Sequence, residues 1–439
     1  MSGSGNQAGR GRSADPFVRR NALAFIGESM WFGLGLVFAS TTTILPAFVS
    51  HLTGSTILVG LIISLTEGAW RAPQLLFASR LTNKPRKKTY LTRAGLIGRP
   101  AYLVLAAALA AGIAQHPALA VALFFLLHTT MYVAMSVDTI VWWDVLAKAI
   151  PARRRGRVLG ASTALRGAVS IGVGLLLAHL LGDSGPGFPT AYTICFAAAG
   201  GCFMLSLASW TFVVEPAESV EPQRPTWREY ARQIQSILHE SSPFRRLLTV
   251  RLLSGFNGLA LGFFGLFGID QLGFAPATLG IFAMVQTVSG ILAGLWFARV
   301  SERTGNHRIV QIATLISLTG PLLAVVFLIA PELLWKPLYG WTFVSIGTFQ
   351  TAQFVGFASL NVDLAPPGQR STYVGLFNTL SSLVIVWPAI GGWLIERTSY
   401  GFLFGLTTGC LVIAHIASWF LPSVVAIPEI DKRGKPPLL

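Results

Sequence analysis

Pro151-Ala-Arg-Arg-Arg155-Gly-Arg-Val-Leu-Gly160 and Pro366-Pro-Gly-Gln-Arg370-Ser-Thr-Tyr-Val-Gly375 are two copies of one loop. Proline, arginine and glycine recur in register at an offset of 215 residues, and the match runs on to Leu165 and Leu380. Each copy joins two apolar blocks long enough to cross a bilayer core as helix, which takes about 20 residues. Working outward from the two loops gives twelve such segments, at about 21–49, 56–79, 90–114, 118–146, 158–181, 192–214, 248–270, 278–298, 309–330, 338–362, 371–395 and 401–422. The one long polar stretch, 215–247, falls between the sixth and the seventh.

Composition agrees with that reading. The chain of 439 residues is 53% hydrophobic and 12% charged, about half the charge of a soluble domain. A soluble enzyme, a disulfide scaffold and a disordered chain are excluded. Cys195, Cys202 and Cys410 sit inside apolar blocks without metal-ligand spacing and read as packing residues. The sequence has no phosphate-binding glycine loop, zinc spacing or nucleophile elbow, so neither an enzyme nor a cofactor is expected. Met1 to Arg20 lacks a signal peptide's apolar core, so the first hydrophobic segment should remain as a membrane helix.

The net charge of +15 records orientation. Lys and Arg number 26 in one alternating set of loops and tails, against Lys336 and Arg397 in the other. By the positive-inside rule both termini are cytoplasmic in a cell membrane, and no nucleic-acid partner is implied. Within the polar stretch, Pro225-Thr226 with Glu229 marks a helix start. Trp227, Tyr230, Ile234, Ile237 and Leu238 then share one face, as in a helix lying on the bilayer surface. The expected architecture is an all-α integral membrane protein, monomeric in the lipid bilayer. Its parts are a tail (1–20), a six-helix bundle (21–214), a linker (215–247), a second six-helix bundle (248–422) and a tail (423–439). Half-chain duplication with six helices per half is a common pattern among secondary transporters.

Over essentially its whole length the sequence resembles the major facilitator superfamily. Loop 8–9 carries Ala298, Glu302-Arg303, Gly305 and His307-Arg308, similar to the family's small residue, acid–arginine pair, glycine and basic cluster. Loop 2–3 is degenerate, with Thr82, Asn83 and Pro85 in place of acid, arginine and glycine; only Arg86, Lys87 and Lys88 keep the basic end. Pro388-Ala-Ile-Gly391-Gly392 is similar to the family's Pro-x-x-Gly-Gly element. The resemblance implies two bundles rocking around a central cavity. It assigns gating to the loop residues Arg86, Arg155, Glu302, Arg303, Gly305 and Arg370, and pairs helices 4 and 5 through Asp138 and Arg166.

Charge inside a membrane helix costs at least ~2.5–3.5 kcal/mol and needs a partner or a wet cavity. Glu28, Arg71, Asp138 and Arg166 lie seven to ten residues in from the basic loops, roughly 10–15 Å deep. Arg93, Arg99 and Asp144 also fall in the N-half segments. Glu67 is a turn deeper, and Glu67 and Arg71 stand i,i+4 with the acid first, the favourable order. Such charges read either as a lattice holding helices together or as proton carriers, for which Glu28 and Glu67 are the candidates. The C-half offers amides instead: Asn257, Gln286, Gln350, Gln353 and Asn378. These suit hydrogen bonding to a polar solute or between helices. The expected function is secondary transport of a small organic solute, coupled to protons. A uniporter, or a non-transporting receptor or assembly factor on the same fold, are the alternatives.

Overall fold

The computed structural model describes residues 17–74, 77, 81, 84–217, 235–330, 336–366 and 370–423. In chain order the helices are α1 (Val18–Phe38), α2 (Ile44–Thr53), α3 (Thr56–Arg71), α4 (Lys88–Gly98), α5 (Ala101–Ala110), α6 (Pro117–Ala149), α7 (Ala152–Leu181) and α8 (Thr190–Thr211). There follow α9 (Ser242–Ser254), α10 (Gly258–Leu261), α11 (Phe264–Asp270), α12 (Thr278–Thr304), α13 (Asn306–Ile329), α14 (Trp341–Ala352), α15 (Ala358–Asp363), α16 (Arg370–Ser381), α17 (Trp387–Arg397) and α18 (Tyr400–Ser418). Among the described residues there is no strand. Among the described residues, ten continuous or nearly continuous helices are long and apolar enough to cross a membrane.

Several spans expected as single helices are interrupted, each for a local reason. The segment at 21–49 is two helices, α1 and α2, separated by Ala39–Thr43. There Ser40 and Thr42 pair through their hydroxyls at 3.1 Å, and the Thr42 N–H donates to Ser40 Oγ at 3.4 Å. Serine and threonine thus offer the backbone a partner that competes with the helix ladder. Pro100, between α4 and α5, lacks the N–H that would continue the ladder. The segment at 338–362 contains a π-helical turn, Gln353–Phe357, between α14 and α15. Starts are set by serine caps: Ser55 accepts from Leu58 N, Ser241 from Phe244 N and Ser399 from Phe402 N. The helix leaving the linker begins at Ser242, earlier than the 248 expected. The surface helix expected from Thr226 falls almost entirely outside the described residues.

Packing sorts the helices by halves. α1 lies against α7 and α8, α4 and α5 against α6 and α8, and α3 against α6; in the second half α12 packs on α14, and α13 on α14 and α18. Lipid is as apolar as leucine, so close packing and hydrogen bonds hold these contacts rather than exclusion of water. Tyr339 shows how: wholly buried, it donates to the Phe264 carbonyl at 2.7 Å and is ringed by Phe267, Phe274, Phe282 and Phe327. Each such ring pair is worth about 0.5–1.5 kcal/mol.

The most extensive contacts between the halves are those of α3 with α17 and α7 with α12. Both depend on missing side chains. A Cβ on Gly280 would run into the backbone of Ala178 and Gly174, and one on Gly392 would strike the Thr56 carbonyl. The Pro388–Gly392 element is therefore where helix backbones of opposite halves touch.

Candidate functional site

At the end of the molecule that carries residues 54–56, the halves are closed on each other. Glu396 Oε1, at the C-terminal end of α17, accepts from Ser55 Oγ at 3.0 Å and from the Ile57 N–H at 3.2 Å. A carboxylate thereby satisfies a donor in the first turn of α3, where the helix dipole also favours it. Thr56 Oγ1 donates to the Gly392 carbonyl at 2.8 Å. One turn further in, the Ala389 N–H donates to Ser64 Oγ at 3.2 Å.

Below this seal a cavity of about 630 Å³ opens between the halves. It is lined by α1 and the Ala39–Thr42 break, by Tyr132 of α6, by α7, α12 and α14, and by Phe354 and Val355 of the π turn. A polar chain crosses it. Thr42 Oγ1 donates to Gln286 Oε1 at 2.7 Å, and Gln286 Nε2 donates to Gln350 Oε1 at 3.0 Å. The helix break at 39–43 thus delivers a hydroxyl from one half to an amide of the other. Among the described residues, Arg166 is the single charged one in the lining.

Beside the cavity, not in its lining, lies a buried ionic cluster. Arg99 Nη2 reaches Glu28 Oε1 and Asp138 Oδ2, both at 3.1 Å, and Nη1 donates to Ser206 Oγ at 2.7 Å. Trp142 Nε1 donates to Glu28 Oε2 at 2.8 Å, and the guanidinium carbon stands 5.3 Å from the Phe32 ring centre. Arg99, Glu28 and Asp138 are 3%, 4% and 7% exposed, so these bonds act with little screening. Asp138 Oδ1 has no hydrogen-bond partner among the described residues. The expected Asp138–Arg166 pair does not form. Asp138 turns to Arg99 instead, and Arg166 faces the cavity, with no ion pair or hydrogen bond among the described residues.

Glu67 and Arg71 pair within α3 at 2.6 Å, half-buried, with Arg71 beside the Trp70 ring. Arg251 of α9 is close enough for their charges to act on it, and it donates to Gln353 Oε1 at 3.0 Å. Of the amides named from the sequence, Gln286 and Gln350 reach the cavity. Asn257 is buried in the turn after α9, and Asn378 is exposed outside the lining.

The loop residues assigned to gating act mostly within their own loops. Arg155 donates to the Ala147 and Ile150 carbonyls, closing the C-terminal end of α6. Glu302 and Arg303 are exposed without an ion pair among the described residues, and Gly305 makes the turn into α13 with φ of 87°. Arg86 is exposed; of Arg370 only the backbone, opening α16, is described. Thr82 and Asn83 lie outside the described residues. The charge lattice at this end is instead built on Glu215, which accepts from the N–H groups of Lys87 and Lys88 at 2.7–2.8 Å. Lys87 and Lys148 both pair with Asp144, at 2.7 and 2.5 Å.

Arg99, at the centre of the buried cluster, and Thr42, in the chain across the cavity, are the residues that the sequence left unassigned. An arginine beside Pro100 in the middle of an apolar block, and a Ser-Thr-Thr-Thr run at 40–43, were the available signals.

A cavity lined by helices of both halves and crossed by a polar chain is the kind of site that secondary carriers build. A sequence profile described as Major Facilitator Superfamily matches residues 145–387, more than half of the chain. The chain belongs to this superfamily, whose members are transporters and not enzymes, and it is a multi-pass membrane protein. A putative sugar efflux transporter of Deinococcus radiodurans is 23% identical over 201 residues, covering 43% of this chain and 51% of that protein. The chain thus spans about half the length of the curated relative it matches. Solved structures share the fold at low identity. Nucleoside transporter NupG aligns with TM-score 0.66 and 13% identity over 91% of this chain and 99% of that one. A D-xylose-proton symporter aligns with 0.64 and 14% over 93% and 97%. A bacterial homologue of the human lysosomal transporter Spinster aligns with 0.65 and 14% over 93% and 97%.

Proposed function

We propose that this chain moves a small organic solute across the cell membrane as a monomer, by alternating exposure of the cavity between its halves. The observation that carries this is the cavity of about 630 Å³, within the usual range for small-molecule sites, lined by both halves. The full set of spans is twelve. Thr56–Arg71 with the residues after it, and Trp341–Asp363, join the ten long apolar helices. The spans form bundles at 21–214 and 248–422, joined by the linker 215–247. Both termini are cytoplasmic, which puts the Ser55–Glu396 seal outside and opens the cavity inward.

Proton coupling is the favoured driving force. Its support is the buried cluster, in which two carboxylates share one guanidinium and Asp138 keeps an unpartnered oxygen. Glu67, half-buried beside Arg71 on a helix that touches both halves, is the second proton carrier after Glu28. Uniport is the other reading, favoured by a cavity lining in which no described residue is a carboxylate. Reconstituted protein under an imposed pH gradient separates the two. Solute flux should follow the gradient and lose that dependence in Glu67→Gln or Glu28→Gln. Flux indifferent to the gradient in every variant leaves uniport.

A further inference from the structure

We propose that the central cavity takes a small organic monoanion, a hydroxylated carboxylate, with its acid group held by Arg166. This rests on the transport reading of the same cavity and adds the charge and class of its cargo. Arg99 is paired with Glu28 and Asp138 and Arg71 with Glu67, while Arg251 bonds the Gln353 amide; none of the three lines the cavity. Arg166 alone lines the cavity and, among the described residues, has neither an ion pair nor a hydrogen bond; its Nε is buried and unpartnered.

A guanidinium cannot shed its charge and carries only donors. Left in a partly desolvated site it favours an oxyanion, and its fork matches a carboxylate with two parallel bonds. One uncompensated cation calls for one negative charge. The approach is also cleared for it: the arm of Arg166 crosses α1 at Gly33, where a Cβ would overlap Arg166 Cδ.

The rest of the lining sets the remainder of the ligand. Gln350 Nε2 and the Thr163 hydroxyl have no protein partner among the described residues, while Gln286 is occupied at both ends by Thr42 and Gln350. With the Arg166 guanidinium, these free donors complement a solute rich in hydroxyl and carboxylate oxygens. An acid on Arg166 of α7 with hydroxyls on Gln350 of α14 would bridge the halves, so binding would bear on their relative position.

The test compares gluconate with glucose, which share a six-carbon hydroxylated skeleton and differ in the acid group. Full-length purified protein is followed by thermal shift and direct binding, and proteoliposomes by counterflow of each labelled probe. Gluconate should bind at least about tenfold more tightly than glucose, the scale of a charge-assisted hydrogen bond. Arg166→Gln should abolish that preference while folding normally, and Arg166→Lys should keep part of it. Equal response to the two probes, response to neither, or gluconate preference surviving in Arg166→Gln would each overturn the proposal. Counterflow of glucose without gluconate leaves transport standing and removes the anion. Arg166-dependent gluconate binding with no counterflow does the reverse.

Discussion

Replacing Arg99 by methionine gives the sharpest test of the buried cluster. The substitution keeps a long unbranched side chain but deletes the cation that bridges Glu28 and Asp138. Three bonds go: the two to the carboxylates at 3.1 Å and the one to Ser206 at 2.7 Å. Hydrogen bonds involving a charge are worth roughly 1.5–3 kcal/mol each, which sets the ceiling. Neighbouring bonds are not additive, and stripping one partner from a buried pair costs about 3–5 kcal/mol, the loss expected here. Most of that penalty is the stranded negative charge rather than the lost attraction. The triple variant Arg99→Met, Glu28→Gln, Asp138→Asn should therefore regain at least half of it. Reversible unfolding by denaturing detergent in mixed micelles gives the free energies of both. Arg99→Met within about 1 kcal/mol of the parent, or a triple variant no better than the single one, would refute the assignment of these residues to one electrostatic unit.

Two further changes probe the ends of the molecule. Glu396→Gln weakens the acceptor for Ser55 and the Ile57 N–H. It should cost about 0.5–2 kcal/mol of closure and raise thiol labelling, from that side, of a cysteine placed at Thr42; unchanged labelling would show that the glycine contacts alone make the seal. Glu215→Gln removes the charge that accepts from Lys87 and Lys88. A loss of roughly 1.5–3 kcal/mol, falling as salt rises, is expected in the same unfolding assay, and a loss below 0.5 kcal/mol would mark the site as an ordinary surface pair.

What could be read from the sequence divides by range. Long apolar blocks are a local property, so the all-helical membrane architecture was legible. The Glu67–Arg71 spacing was legible too, because one helical turn brings those residues together whatever surrounds them. Asp138 could not be matched to its partner this way. Arg99 and Arg166 are both arginines within apolar blocks of the N-terminal half, and the choice is made by packing of α4 against α6 and α8, the last supplying Ser206 as a further acceptor. The helix break at 39–43 was hidden by the same averaging, since its residues are small and the blocks either side of it are uniformly apolar. In the loops, the Lys87 and Lys88 charges were counted for orientation, but Glu215, which organises them, sits in the opening of the polar linker.

Glu215 also sets an order of events in synthesis. It finishes the first turn of α4 from 127 and 128 residues further along the chain. While the ribosome is still making α6, α7 and α8, the donors at Lys87 and Lys88 lack this acceptor. The start of the third span is completed only when the sixth has emerged behind it. The N-terminal half therefore carries a closing clasp that reports its own completion, formed just as the linker to the second half begins to appear.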